Sequence, residues 1–106
     1  MTNNDIIRIF VNGSKKAAAA NHIGFYDNRL FSYSTVICEI DRSKKSALFN
    51  SRKYSRTTSK HQSALRYSLE AAGYSIKEYN GPDAWAWNYG YQGAPSLTVA
   101  DIRKLA

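Results

Sequence analysis

The chain has 106 residues, which fits one domain over residues 1–106 with a single modest core. No apolar run approaches the roughly 18 residues that a membrane span needs, and the first ten residues lack a secretory signal pattern, so we expect a cytoplasmic protein. Fifteen Lys and Arg against eight Asp and Glu give a formal net charge of +7, which favours a polyanionic partner such as nucleic acid, anionic lipid or an acidic protein surface.

The first half of the chain predicts a meander of short antiparallel strands. IIRIFVN, residues 6–12, is rich in β-branched and aromatic side chains and ends at an Asn-Gly turn signal, so it predicts the first strand. SKKAAAANH is predicted to be a loop because its alanines are too few for an independent helix. Ile23 and Phe25 alternate before Asp27-Asn28, a hairpin turn signal. Residues 30–33, 35–40 and 47–50 continue the meander.

The hydrophobic period then changes to that of a helix over residues 59–72. Three apolar residues recur at i, i+4 and i+7 and share one helical face: Leu65, Leu69 and Ala72. Ser59 and Gln62 have capping-box spacing, with Thr57 and Thr58 as alternative caps. Gly73 stands where a left-handed residue commonly ends a helix.

Beyond this helix, residues 74–79 alternate again and predict a strand, and a short helix is predicted in VADIRKLA near the C-terminus. An amphipathic helix and a sheet with one apolar face each need a partner. The sequence therefore predicts an α+β fold, in which an antiparallel sheet of four to six strands packs on one main helix at about 59–72, with a short C-terminal helix.

The stretch WAWNYGYQG, residues 85–93, places four aromatic rings at every second position, hence on one face of a strand. Breakers on both sides predict an edge strand or a protruding hairpin. Two interpretations stay open for Trp85 and Trp87, which either cover one open end of the sheet or contact a partner. Tyr89 and Tyr91 are predicted to be exposed and to contact a partner, because tyrosine is enriched at binding hot spots and stacks on unpaired bases.

More than half of the basic residues lie between residues 42 and 69, a stretch without any acidic residue. Such a block is typical of an electrostatic footprint for nucleic acid, and a helix N-terminus within it favours anions. The alternative is that Ser and Thr cap the helix and the basic side chains are merely solvated. The predicted nucleic-acid-binding or partner-binding residues of this block are Arg52, Lys53, Tyr54, Arg56, Lys60 and Arg66.

Signals for catalysis are weak. The chain contains no phosphate-binding glycine motif, no nucleophile elbow and no Cys/His metal spacing, so neither an enzyme nor a metal or other cofactor is expected. His61 is predicted to be structural, at the edge of the core face of the helix. A nuclease that uses His61 with Tyr54 and Arg56 is a conceivable alternative. Cys38 is the single cysteine and cannot form an internal disulfide.

The run KYSRTTSKHQSALR, preceded by a strand and a basic turn, resembles a KYSxTTSKHQ-type motif of small, mostly uncharacterised proteins of bacteriophages and related mobile elements. The resemblance covers residues 25–66 and does not include the aromatic stretch. It implies an inhibitor of host defence in the host bacterial cytoplasm, similar to anti-CRISPR proteins, that binds an RNA-guided CRISPR nuclease or its guide RNA. A phage accessory protein that binds RNA or DNA without a defence target is the alternative, followed by an enzyme acting on nucleic acid.

Overall fold

Two helices and a six-stranded sheet make up the part of the chain that the structure describes. This computed structural model describes residues 2–33 and 35–79. In chain order its elements are α1 (Asn3–Asn12), β1 (Ala17–Ala20), β2 (Ile23–Tyr26), β3 (Arg29–Ser32), β4 (Thr35–Asp41), β5 (Ser46–Asn50), α2 (Arg56–Ala71) and β6 (Ser75–Tyr79). The predicted α+β class is confirmed. The predicted C-terminal helix and WAWNYGYQG lie outside the described residues.

The strand predicted at residues 6–12 is wrong, because these residues belong to α1. Four of them recur with a helical spacing and are buried: Ile6, Ile7, Phe10 and Val11. Thr2 and Asp5 form a reciprocal capping box at the start of the helix, and Gly13, in the left-handed region at φ 74°, ends it. The two caps and the apolar face together outweigh the β propensity of the isoleucines and the valine.

The predicted loop at the alanine run is also corrected, because Ala17–Ala20 forms β1. It pairs antiparallel with β2, with Ala17 opposite Tyr26 and Ala20 opposite Ile23. A Cβ atom added at Gly24 would lie 3.0 Å from the Cβ of Ala19. The small side chains therefore allow β1 and β2 to pair closely. Pairing with β2 stabilises β1 as a strand, although the propensity of alanine does not favour one.

The sheet runs in sequence order from β1 to β6, and its first four strand pairs are antiparallel. The predicted hairpin turn at Asp27-Asn28 and the predicted strands after it are thereby confirmed. The last pair, β5 with β6, is parallel, which corrects the prediction of a wholly antiparallel sheet. The physical reason is that α2 connects these two strands as a crossover, and such a connection returns the chain in the same direction.

The main helix starts earlier than predicted. Its N-cap is Ser55, whose Oγ accepts from the Thr58 amide at 3.2 Å, so Ser59 is a helical residue and not the cap. The predicted C-terminal signal is confirmed, because Gly73 has φ 81°. The amide of Tyr74 donates to the Leu69 carbonyl at 2.9 Å, and that of Gly73 donates to the Glu70 carbonyl at 3.1 Å. This pair of bonds is the Schellman arrangement.

One buried cluster joins both helices to the sheet. From the helices it includes Ile6, Phe10, Leu65 and Leu69, and from the strands Phe25, Leu30, Ile37 and Phe49. A smaller cluster around Phe31 and Val36 is separate from it. α1 therefore contributes to the core alongside the main helix, which the sequence did not predict. Within the described residues, no helix is long and apolar enough to cross a membrane.

Truncation of Leu69 should destabilise the fold strongly. Leu69 is 0% exposed, so Leu69→Ala removes buried methyl groups and leaves a cavity, which costs about 2 to 5 kcal/mol. Urea denaturation measures this loss. Tyr67→Ala on the same helix is the control, because Tyr67 is 77% exposed and its replacement should change stability by about 0.5 kcal/mol or less. A similarly small effect of Leu69→Ala would contradict the burial of this face.

Candidate nucleic-acid interface

Both helices begin at the same end of the sheet. Asn3 Nδ2 lies 3.3 Å from His61 Nε2, which joins the first turn of α1 to α2. Ser32 Oγ, at the end of β3, lies 2.9 Å from Thr58 Oγ1 in the first turn of α2. We call this the upper end of the sheet: the turn at residues 21–22, Ser32 and Tyr33, the loop at residues 51–55, and the first turns of α1 and α2.

A buried polar network holds the upper end together. Ser32, Thr58 and His61 are all buried, and Ser32 Oγ lies 2.8 Å from His61 Nδ1. Asn3 Oδ1 accepts from Asn21 Nδ2 at 3.2 Å, so the Asn3 amide nitrogen faces His61. The His61 Nε2 then accepts, and its Nδ1 carries the proton and donates to Ser32. Burial, and secondarily the nearby His22, lower the pKa of His61.

This network assigns His61 a structural part, as predicted. Its ring nitrogens contact Ser32 and Asn3, whereas Tyr54 Oη is engaged with Asn50 Nδ2 at 2.9 Å. The hydrogen bonds therefore do not join His61 directly to Tyr54. Among the residues of ranges 2–33 and 35–79, no three His, Cys, Asp or Glu side chains form a group that could hold a metal ion.

The loop at residues 51–55 is fixed from beneath by two buried amides. Asn50 Nδ2 donates to the Val36 carbonyl at 3.0 Å, and Asn50 Oδ1 accepts from the Arg52 amide at 3.0 Å. Gln62 Nε2, from α2, donates to the carbonyls of Asn50 at 2.6 Å and Arg52 at 3.0 Å. The loop that carries Arg52, Lys53 and Tyr54 is thus held by side chains on β5 and α2.

Four predicted cationic residues are exposed on this loop and on the first turns of α2: Arg52, Lys53, Arg56 and Lys60. None of the ion pairs found in the described part of the chain includes them, and the first turn of α2 has no acidic residue. The Ser55 side chain accepts from the Thr58 amide and the Ser55 carbonyl accepts from the Ser59 amide at 2.9 Å, so helix geometry leaves the amides of Arg56 and Thr57 available to solvent or an anion. Tyr54 lies among them and is 39% exposed.

A groove of about 420 Å³ runs beside these cations between α2 and the sheet edge. Its polar lining includes three serine hydroxyls and Lys53: Ser51, Ser59, Ser63 and Lys53. Hydroxyl and ammonium donors are the groups that contact phosphate oxygens in nucleic-acid complexes. The same groove is also lined by the Arg66–Glu78 ion pair, so these donors stand beside one carboxylate.

Arg66 differs from the other predicted cations. Its guanidinium donates to the Glu78 carboxylate on β6, and its central carbon lies 4.6 Å from the centre of the Phe49 ring. Arg66 is half-buried, and its charge is already balanced by Glu78. An anion would have to compete with this carboxylate.

Two other basic side chains of residues 42–69, Arg42 and Lys45, make their contacts at the opposite end of the sheet, which we call the lower end. Arg42 Nε and Nη2 donate to the Phe10 carbonyl at 2.9 and 2.7 Å, and Nη2 also donates to the Asp27 carbonyl. Lys45 Nζ donates to the Ala72 carbonyl at 3.1 Å. These contacts satisfy carbonyls at the ends of α1 and α2 and in the turn between β2 and β3, so the basic block is divided between two ends of the molecule.

One aromatic pair at the upper end was not predicted. The rings of His22 and Tyr33 stack at a centroid distance of 4.6 Å and an interplanar angle of 15°. They come from two different turns, so no local pattern in the sequence indicates their contact. The predicted contacts Tyr89 and Tyr91, like Trp85 and Trp87, lie outside the described residues. β6 ends at Tyr79, opposite Asn50, so the chain leaves the described range at the upper end.

The fold and this site define a small α+β protein with a cluster of exposed cations at one end of its sheet. The model of the family of unknown function DUF8033 matches residues 3–81, and the protein belongs to that family. The matched range contains every described helix and strand and the whole basic loop, and it ends before WAWNYGYQG. No curated protein and no solved structure matches the chain.

Stability should decrease in mild acid because burial holds the pKa of His61 below its usual value of 6.5. The unfolded chain then binds a proton at a higher pH than the folded chain does. The free energy of unfolding should be constant above that usual value and decrease as the pH falls through it towards the lowered pKa. Asp5 and Asp41 titrate at lower pH, because hydrogen bonds lower their pKa values from 3.8.

Chemical denaturation at a series of pH values between neutrality and mild acid measures this dependence. The variant His61→Gln should lose most of the slope, whereas His22→Gln should retain it. Equal slopes in the wild type and His61→Gln would show that His61 is not the group responsible.

Proposed function

We propose that this protein acts by binding nucleic acid through the upper end of the sheet. The observation that carries the proposal is the set of four exposed cations, Arg52, Lys53, Arg56 and Lys60, on a backbone that buried hydrogen bonds hold in place. Phosphate contacts supply most of the affinity of nucleic-acid-binding proteins. A loop fixed before binding loses less conformational entropy on association.

Nucleic acid fits this surface better than anionic lipid does. A membrane-surface protein commonly offers an amphipathic helix with large apolar side chains beside its basic face. Here the cations are interspersed with serine hydroxyls and with Tyr54, and the apolar face of α2 is buried in the core. Aromatic rings among basic and hydroxyl groups are typical of surfaces that contact bases and phosphates.

For the biological target we propose a phage-type inhibitor that binds the guide RNA of an RNA-guided CRISPR nuclease, or the nuclease itself, in the host bacterial cytoplasm. This part rests on the resemblance of KYSRTTSKHQSALR to proteins of mobile elements. The alternative is an accessory protein that binds RNA or DNA without a defence target. In both proposals Tyr89 and Tyr91 stay predicted partner contacts.

A pull-down from a lysate containing a CRISPR effector, with and without nuclease treatment, separates the two proposals. The inhibitor should retain the effector protein on the tagged chain, because the effector shields its guide RNA. An accessory nucleic-acid-binding protein should lose its partners when free nucleic acid is digested. Loss of the effector after digestion would contradict the inhibitor.

Salt dependence tests the basic upper end directly. Binding of a labelled oligonucleotide should weaken with salt, with a log–log slope of about −0.7 to −0.9 per phosphate contacted. Replacing the two exposed cations of α2, Arg56→Ala with Lys60→Ala, should flatten that slope by about one unit per lost contact. Fluorescence anisotropy from about 50 to about 200 mM salt measures the change.

The matched control removes the same charge from the lower end. Lys15 follows α1 and Lys44 lies in the turn between β4 and β5, and both are exposed. Lys15→Ala with Lys44→Ala should leave the slope almost unchanged. Equal flattening by the two double variants would mean that net charge alone, and not the upper end, drives binding.

A further inference from the structure

We infer that the His22–Tyr33 ring pair is a stacking platform for an unpaired base, so that the ligand of the upper end is single-stranded nucleic acid. This inference rests on the proposed function and specifies its ligand. It is carried by the geometry of the pair, by the backbone of Tyr33, and by the position of both residues beside the first turn of α2.

The two rings form an exposed, nearly parallel stack. Their centroids are 4.6 Å apart, and their planes differ by 15°. The Tyr33 amide donates to the His22 carbonyl at 2.8 Å, which ties the two turns together. His22 is exposed, and Tyr33 is 42% exposed. A flat aromatic surface that is rigid before binding is what a base needs for stacking, and stacking tolerates any base.

Four non-glycine turn residues have a positive φ within the described residues, Asn21, Asp27, Tyr33 and Lys45, and Tyr33 is the aromatic one among them. Tyr33 has φ 59°, in the left-handed region that bulky L side chains rarely adopt. Asn21, in the neighbouring turn, has a similar φ of 56°, but asparagine is common in that conformation. The turn would accommodate asparagine or glycine with less strain than tyrosine. Such strain is often found where a side chain serves binding.

The platform lies at the same end of the sheet as the exposed cations. Ser32 precedes Tyr33, and its Oγ lies 2.9 Å from Thr58 Oγ1 in the first turn of α2. Arg56 and Lys60 are exposed on the same turns of the helix. A strand whose base stacks on Tyr33 can therefore place neighbouring phosphates on these cations. A duplex cannot do so without unpairing, because its bases are stacked inside.

The test variant is Tyr33→Asn, which removes the ring and suits the left-handed backbone, so the fold should be retained. Binding of oligo-U RNA and oligo-dT DNA should weaken about fivefold or more, the effect of losing one stacked base. Binding of a duplex of equal length, which depends on phosphates, should not change. Tyr67→Ala, which removes a tyrosine ring that is 77% exposed elsewhere on α2, is the matched control and should change neither affinity.

A second measurement reports stacking itself. An oligonucleotide with one 2-aminopurine among uridines should lose fluorescence on binding the wild type, and Tyr33→Asn should abolish most of that quenching. Weakening of both oligo-U and oligo-dT supports a generic base platform, and weakening of oligo-U alone supports a platform selective for RNA.

The platform is overturned if Tyr33→Asn behaves like Tyr67→Ala, or if it weakens duplex binding equally. If Arg56→Ala with Lys60→Ala still weakens binding in that case, the proposed function stands and only the platform fails. If the wild type binds no oligonucleotide at low salt, the proposed function and the platform fail together.

Discussion

The buried hydrogen bonds at the upper end are the constraint on which the arrangement of the two helices and the basic loop depends. Polar side chains cannot be left without partners in a core, since each orphan costs about 1 to 3 kcal/mol. Within the described residues, no buried side-chain nitrogen or oxygen lacks a partner. The partners come from α1, three strands, the loop and α2. Satisfying them all leaves these elements few alternative positions.

The same stretch of sequence builds the support and presents the charges. In α2 the helical period places Thr58, His61 and Gln62 on the face that continues into Leu65 and Leu69, and all five are buried. Arg56 precedes these positions and Lys60 lies between them, and both cations are exposed. The first turns thus have a hydrogen-bonding inner face in place of an apolar one. This explains how a motif as polar as KYSRTTSKHQ can be structural and basic at once.

The features that could be predicted from the sequence are those specified by residues that lie close together in the chain. The apolar stripe at Leu65 and Leu69, the Gly73 terminus and the turn at Asp27-Asn28 all depend on residues close in the chain. α1 was missed because isoleucine and valine favour strands, although its two caps were present in the sequence. The parallel β6, the Glu78 partner of Arg66 and the stack of His22 on Tyr33 join distant segments. No period or spacing encodes such contacts.

Topology also decides how much of the basic block can act together. β5 separates the turn that carries Arg42 and Lys45 from the loop that carries Arg52. Its five residues, at about 3.3 Å each, keep the two groups roughly 16 Å apart. Arg42 and Lys45 are occupied by carbonyls at the lower end, and Arg66 is paired with Glu78. Apart from exposed Lys44 and Lys45 at the lower end, the exposed cations of the block form a small cluster at the upper end. Under the proposed function, this cluster suits a few successive phosphates of a flexible strand better than the long face of a duplex.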